Sequence, residues 1–177
     1  MLSFKRPPIG SILISAFALS LALAVIVSCK TNDPGTSATT TSTSIQGNWR
    51  ITTININPAF VYGGLPFSEL VTPLNGVENN CIGSTTVMFN SNGTVTNNAT
   101  SVSACTSSPL SKQLVNTFFG ASTSYTETDN QLTVRGPQTV TANKTVTAGT
   151  ATLVTSLSAN PVGQPTPTSY TLVLTKL

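Results

Sequence analysis

The chain has 177 residues, no histidine, and only 7% charged side chains with a formal net charge of +3. The lack of histidine excludes Ser-His and Cys-His nucleophilic arrangements, and the absence of a basic cluster removes the electrostatic footprint of a nucleic-acid binder. Threonine, serine, asparagine and valine are abundant, a composition that favours strands and turns over helices.

Residues 1–28 have a tripartite form. Lys5 and Arg6 are basic, Ile9 to Val27 is apolar apart from Gly10 and three serines, and small Ser28 precedes Cys29. That order is the form of a secretory signal. A run of about 18 apolar residues can also span a bilayer, but no basic stop-transfer cluster follows it. Ile26-Val27-Ser28-Cys29 resembles the bacterial lipobox. The resemblance implies diacylglyceryl transfer to the Cys29 thiol, cleavage before it, and a membrane partner reached through that lipid. Lys30, rather than aspartate, follows the cysteine, which by the same analogy implies outer-membrane sorting, with the periplasmic and the surface face both open. Two or more acyl chains give stable anchoring where one is marginal. Residues 29–44 are then the lipidated cysteine and a Ser/Thr-rich tether with no large apolar side chain. Such a segment has nothing to bury, and its root-mean-square reach is about 20 Å.

Residues 45–177 have the size of one domain. Cys81 and Cys105 are an even pair in a chain with an export signal, the setting in which disulfides form. A metal site is the weaker reading, since histidine is absent and a cysteine pair alone does not complete a coordination sphere.

"GNWRITTININ" (47–57) reads as a strand. Trp49 and Ile51 share a face while Ile54 and Ile56 fall on the opposite parity, so a bulge is expected near Thr52-Thr53. Residues 58–80, dense in proline and glycine, read as a long irregular connection, with one helical turn in "PFSEL". "STTVMFNSNGTVTNN" (84–98) is a hairpin. Thr85, Val87 and Phe89 lie on one face, Ser91-Asn92-Gly93 turns the chain, and the return strand is expected to run toward Cys105. "SSPLSKQLVNTFFG" predicts a helix over about 109–119, capped by Ser108, started by Pro109 and stopped by Gly120. Its stripe of Leu110, Leu114, Val115 and Phe118 suits packing on a sheet or closing a barrel end. Strands then resume around a turn at Asp129-Asn130 and another near Ala148-Gly149. A proline-rich loop leads to "TSYTLVLTKL", where Tyr170, Leu172 and Leu174 share a face. The sum is an all-β domain of about seven to nine short strands with one short helix, an antiparallel barrel or barrel-like sandwich.

On "GNWRIT", "C…TTVMFNSNGTVT…C", "SYTETDNQLTV" and terminal "YTLVLTKL", the domain resembles the small lipocalin-like lipoproteins of Bacteroidetes-type bacteria. The matching positions are Gly47, Trp49, Cys81, Phe89, Gly93, Cys105, Leu132 and Leu172. The resemblance implies a barrel whose opening Trp49 plugs the closed end, and a function without catalysis. Tyr125 stands nearest to where family members carry a second tryptophan. A META/HslJ-like domain is the second resemblance, sharing the "F…G" rhythm but not that family's Gly-Cys-Asn signature.

For chemistry the sequence offers little. Glu69, Glu78, Glu127 and Asp129 read as solvated loop and turn charges, and no phosphate loop, redox CxxC or EF-hand spacing occurs. No catalytic residue, metal ligand or cofactor is named. The expectation is a non-enzymatic barrel that holds a small apolar ligand, since eight strands enclose just enough room for one; a filled barrel acting as an envelope interaction module is the alternative.

Overall fold

A computed structural model describes residues 44–158, 163 and 167–177. Residues 1–43, and with them the expected signal, Cys29 and most of the expected tether, lie outside the described residues. Nine strands run in chain order: β1 (Gly47–Tyr62), β2 (Leu65–Glu69), β3 (Thr86–Phe89), β4 (Thr94–Asn97), β5 (Ser122–Glu127), β6 (Gln131–Arg135), β7 (Thr139–Val146), β8 (Thr150–Leu157) and β9 (Thr168–Lys176). Helices α1 (Val71–Val77) and α2 (Cys81–Ser84) lie between β2 and β3. A 3-10 turn (Ser103–Cys105) and helix α3 (Pro109–Phe119) lie between β4 and β5. Neighbouring strands pair antiparallel, and β1 also pairs with β9, closing an eight-stranded barrel to which β2 is the extra strand.

Closure depends on β1. Ile51 pairs with Leu174 and Thr53 with Val173, which leaves Thr52 as the extra residue of a bulge. The bulge resets parity, so that Trp49, Ile51, Ile54 and Ile56 are all buried. Beyond Asn57 the strand leaves β9, and Phe60, Val61 and Tyr62 pair with Phe67, Pro66 and Leu65 across a Gly63-Gly64 turn. Both glycines have positive φ, +59° and +84°, as a two-residue hairpin turn requires. The expected irregular connection over 58–80 is therefore a strand continuation, a hairpin and helix α1, and Pro66–Glu69 of "PFSEL" lies in strand β2 rather than in a helical turn. Pro66 is tolerated because β2 is an edge strand.

The 84–98 hairpin forms as expected, with Asn90 and Thr94 bonded across the turn. Its return strand ends at Asn97 instead of running to Cys105, because the Asn97 carboxamide turns the chain. Its oxygen accepts from the Ala99 N–H, and its Nδ2 donates to the carbonyl of Gly120. Cys81 and Cys105 form a disulfide. It joins the start of α2 to the 3-10 turn, not one strand to its neighbour.

Helix α3 spans the residues expected of it. Pro109 is its first residue, and Gly120 ends it with φ +60°. Ser108 caps no backbone amide; its hydroxyl lies 2.8 Å from the Glu78 carbonyl and 2.9 Å from that of Ala104. The cap comes from a distant side chain. The Glu78 carboxylate accepts from the backbone N–H of Leu110 (3.2 Å) and Ser111 (2.6 Å), two of the amides that an N-terminus leaves unpaired. Leu114, Val115, Phe118 and Phe119 are buried.

All nine strands and the buried core lie between Ile45 and Leu177, inside the compact unit of residues 38–177. The closed barrel and the core of the described residues thus lie within that one unit. The disulfide closes a loop with a sequence separation of 24, for which the chain-entropy treatment gives about 3 kcal/mol. The Cys81→Ala/Cys105→Ala variant is expected to lose about that much in urea unfolding while keeping its far-UV circular dichroism; an unchanged midpoint contradicts the expectation.

Candidate functional site

Three places in the fold can carry a function: the barrel interior, a polar cluster at the barrel end where β1 starts, and an apolar cleft at the opposite end.

Alternation along the strands turns one side of each inward. Val87 and Phe89 of β3, Leu132 and Val134 of β6, Val140 and Ala142 of β7, Leu153 of β8, and Tyr170, Leu172 and Leu174 of β9 are all buried. Aromatic rings fill the space between them. Phe89 makes edge contacts with Phe119 (centroids 5.9 Å) and Tyr125 (5.2 Å), and Phe118 does so with Tyr170 (5.2 Å). These are the geometries that aromatic pairs prefer. Phe118 and Phe119, at the C-terminal end of α3, are the helix's contribution to this interior. The cavity among them is about 10 Å³, lined by those two rings and by Leu132, Val134, Val140, Ala142, Leu153, Thr155 and Leu172. That is about the room a single water needs, in a lining that offers it almost no polar partner. Burial also pushes the Tyr170 phenol up to about 12.

Trp49 lies at the other end, fully buried, its indole N–H donating to the Ile45 carbonyl at 2.6 Å. The Lys176 ammonium sits 5.6 Å from its ring centroid. Beside it is the polar cluster. Lys144, on the inward side of β7, is 4% exposed, and its Nζ lies 2.5 Å from Oε2 of Glu127 at the end of β5. Glu127 also accepts from the Ser44 hydroxyl (2.8 Å) and the Ile45 N–H (2.9 Å). Burial alone raises the pKa of this carboxyl. The hydrogen bonds from Lys144, Ile45 and Ser44, together with the Lys144 charge, outweigh it and hold the group below the usual carboxylate value. The cluster fastens the segment that enters the barrel to its wall.

The cleft lies between the β1–β2 hairpin and α1. Phe60, Tyr62, Phe67, Leu70, Pro73, Leu74 and Val77 line about 70 Å³. Glu69 stands next to it, but its carboxylate accepts from the N–H groups of Val71 (2.7 Å) and Thr72 (2.9 Å) at the start of α1.

The structure thus corrects the reading of Glu69, Glu78 and Glu127 as solvated charges, while Asp129 is exposed at its turn as expected. Glu69, Glu78 and Glu127 are bound to backbone amides or to an ammonium. Sequence signals for this were slight: Glu69 lies two residues before the start of α1, whereas Glu78 and Glu127 reach partners distant in sequence. Of the expected site residues, Cys29 lies outside the described residues, and Cys81 and Cys105 form their bond away from the cleft's lining. Among the described residues no three His, Cys, Asp or Glu side chains group as metal ligands, and no helix is long and apolar enough to cross a membrane.

Compared with family models, curated proteins and solved structures, the chain shows no match. Its class rests on its own geometry: a closed, eight-stranded antiparallel barrel of lipocalin-like form, with one extra strand and helices inserted at one end.

Removing one partner of a buried ion pair strands the other charge, at a cost of about 3 kcal/mol or more. Glu127→Ala, which leaves the Lys144 ammonium buried, is therefore expected to destabilise more than the double change Glu127→Gln/Lys144→Met. The folded carboxyl has the lower pKa, so its contribution is fully present above the unfolded value of about 4.3 and is lost as pH falls through the folded one. Thermal unfolding of the native protein should therefore lose stability below about pH 4 more steeply than that of the double variant; parallel pH profiles contradict this.

Proposed function

We propose that this chain is a lipoprotein of the bacterial cell envelope. In this reading, Cys29 carries the lipid, the segment to residue 44 is the tether, and the barrel is a packed, non-catalytic interaction module. The lipobox-like Ile26-Val27-Ser28-Cys29 after the apolar run supports the anchor. The observation that carries the choice of a packed module over a carrier is the filled interior. With Phe118 and Phe119 among the inward side chains, the cavity they line is about 10 Å³, against the 300 Å³ or more of a pocket that buries a small ligand. The absence of catalysis is supported by the engagement of Glu69, Glu78 and Glu127 in structural hydrogen bonds.

A second reading keeps a small apolar ligand and moves it from the interior to the cleft under the hairpin, whose lining is aromatic and aliphatic. The resemblance to lipocalin-like lipoproteins is what suggests a ligand at all.

Two measurements test these readings. Labelled palmitate is expected to enter the full chain expressed in a bacterium with a lipoprotein pathway, and to fail to enter Cys29→Ala. Equal labelling of the two, or none of either, sinks the anchor. Native mass spectrometry of the barrel from a periplasm is expected to give the bare mass with one disulfide. A reproducible small molecule lost on denaturation overturns the packed-module reading in favour of a carrier.

A further inference from the structure

The large apolar side chains that remain exposed are unevenly placed. Val61 (60% exposed), Tyr62 (54%), Leu65 (63%) and Val77 (64%) all belong to the tip of the β1–β2 hairpin and the end of α1. Among the described residues Met88, Val154 and Leu177 are the others, on separate strands or at the terminus. Exposed apolar side chains gathered at one place mark a contact surface, whereas scattered ones need no explanation.

The surroundings indicate what kind. From Ile51 to Ser68 the sequence has no charged residue. The nearest carboxylates in sequence, Glu69 and Glu78, direct their oxygens onto the first-turn amides of α1 and α3. Among the described residues the hairpin also lies beyond the β1–β9 ladder. Phe60, Val61 and Tyr62 pair with β2 alone, because β1 leaves β9 after Asn57. Tyr62 stacks on Phe60 with centroids 6.0 Å apart, which holds an aromatic ring at the rim. Tyrosine with its amphipathic ring concentrates at the membrane–water boundary, where its neighbours here, valine and leucine, can enter the acyl region.

We infer that the tip formed by Val61, Tyr62, Leu65 and Val77 is a membrane-contact surface that seats its apolar side chains in the outer layer of a lipid bilayer. The choice of a bilayer over another apolar partner rests on the lipoprotein reading. The segment from Cys29 to Ser44 spans at most about 50 Å when extended, so an acylated chain keeps the barrel beside a membrane. β1 itself is about 50 Å long from Gly47 to the tip. The tether and the tip leave opposite ends of that strand, so both reach one leaflet when β1 lies along the surface. A bilayer interface accepts a charge-free tip without the matching hydrogen bonds that a protein partner would supply. Pairing of a second copy along β2 is opposed by Pro66, which removes one N–H from a five-residue edge.

The test uses residues 38–177, the compact unit that holds the nine described strands and lacks Cys29. It is sedimented with extruded vesicles of phosphatidylethanolamine and phosphatidylglycerol. The native sequence is expected to co-sediment, and Val61→Asp/Leu65→Asp to bind at least tenfold more weakly. Both side chains are exposed, so the thermal midpoint and near-ultraviolet tryptophan signal should be common to the two proteins and report that both are folded. Binding should persist at high salt, since the tip carries no charge. Failure of the native unit to bind, equal binding by the variant, or loss of binding at high salt each overturns the inference. So does a vesicle-free dimer that the double change dissociates, without any vesicle binding, which assigns the tip to a second copy. Failed palmitate labelling of the full chain sinks the anchor and leaves this vesicle result standing on its own.

Discussion

One extra residue in β1 sets how the barrel closes. A sixteen-residue strand that kept strict alternation could not bury both Trp49 with Ile51 and Ile54 with Ile56. The bulge at Thr52 lets one strand face inward along its whole paired length and lie against β9 from Trp49 to Asn57. Without that inward face, β9 would lose its neighbour and the sheet would keep two open edges, which are sites for unwanted pairing. The Thr52 hydroxyl is 3.1 Å from the Val173 carbonyl and 3.3 Å from the Thr175 hydroxyl, so the bulged residue is tied to the strand that it displaces. Every other strand inherits its position from this pairing, because each is joined to the next by one antiparallel ladder.

Closure leaves two ends, and the chain treats them differently. At the end where β1 starts, Ile45, Trp49 and the Glu127–Lys144 pair fill the mouth, and short turns connect the strands. At the other end two helical insertions interrupt a sequence otherwise built for strands. α1 and α2 have seven and four residues, too short to be stable by propensity alone. They are held by what they contact. Glu69 satisfies the first amides of α1, Glu78 those of α3, and the Cys81–Cys105 bond joins the two insertions. Glu78 is therefore a bridge, following the end of one helix and capping the start of another.

Which features could be read from the sequence follows from how local their causes are. The Thr52 bulge was visible as a parity change, the 84–98 hairpin as alternation around Asn92-Gly93, and α3 as a proline start, an apolar stripe and a glycine stop. Each signal lies within a dozen residues. The hairpin at 58–69 reads as an irregular connection because its prolines and glycines look like loop punctuation. Only the pairing partners show that Gly63-Gly64 is a turn and that Pro66 lies on an edge. The end of β4 at Asn97 was missed because the Gly120 carbonyl, 23 residues on, takes the Asn97 amide. The capping role of Glu78 and the ion pair of Glu127 were equally hidden, since their partners lie 32 and 17 residues away. The filled interior was out of reach for a similar reason: it depends on Phe118 and Phe119 sharing a lining with side chains from β6 to β9.

The outer surface shows how a chain with so few charges stays distinct from its own core. The outward positions of β7 are Thr139, Thr141, Asn143 and Thr145, and those of β9 are Ser169, Thr171, Val173 and Thr175. Hydroxyls also meet across strands, as between Thr133 and Thr141 at 3.3 Å. Threonine serves both needs of such a wall, since its branched carbon suits the pleat and its hydroxyl faces water. A neutral wall of this kind neither attracts nor repels a charged partner at range, because steering over many ångströms needs net charge. Selectivity must then come from short-range contact. The outward positions of β7 and β9 are mostly hydroxylated, whereas the hairpin tip combines exposed apolar side chains with freedom from charge. On the proposed reading, the contrast between them, more than either surface alone, gives this barrel a direction in which to bind.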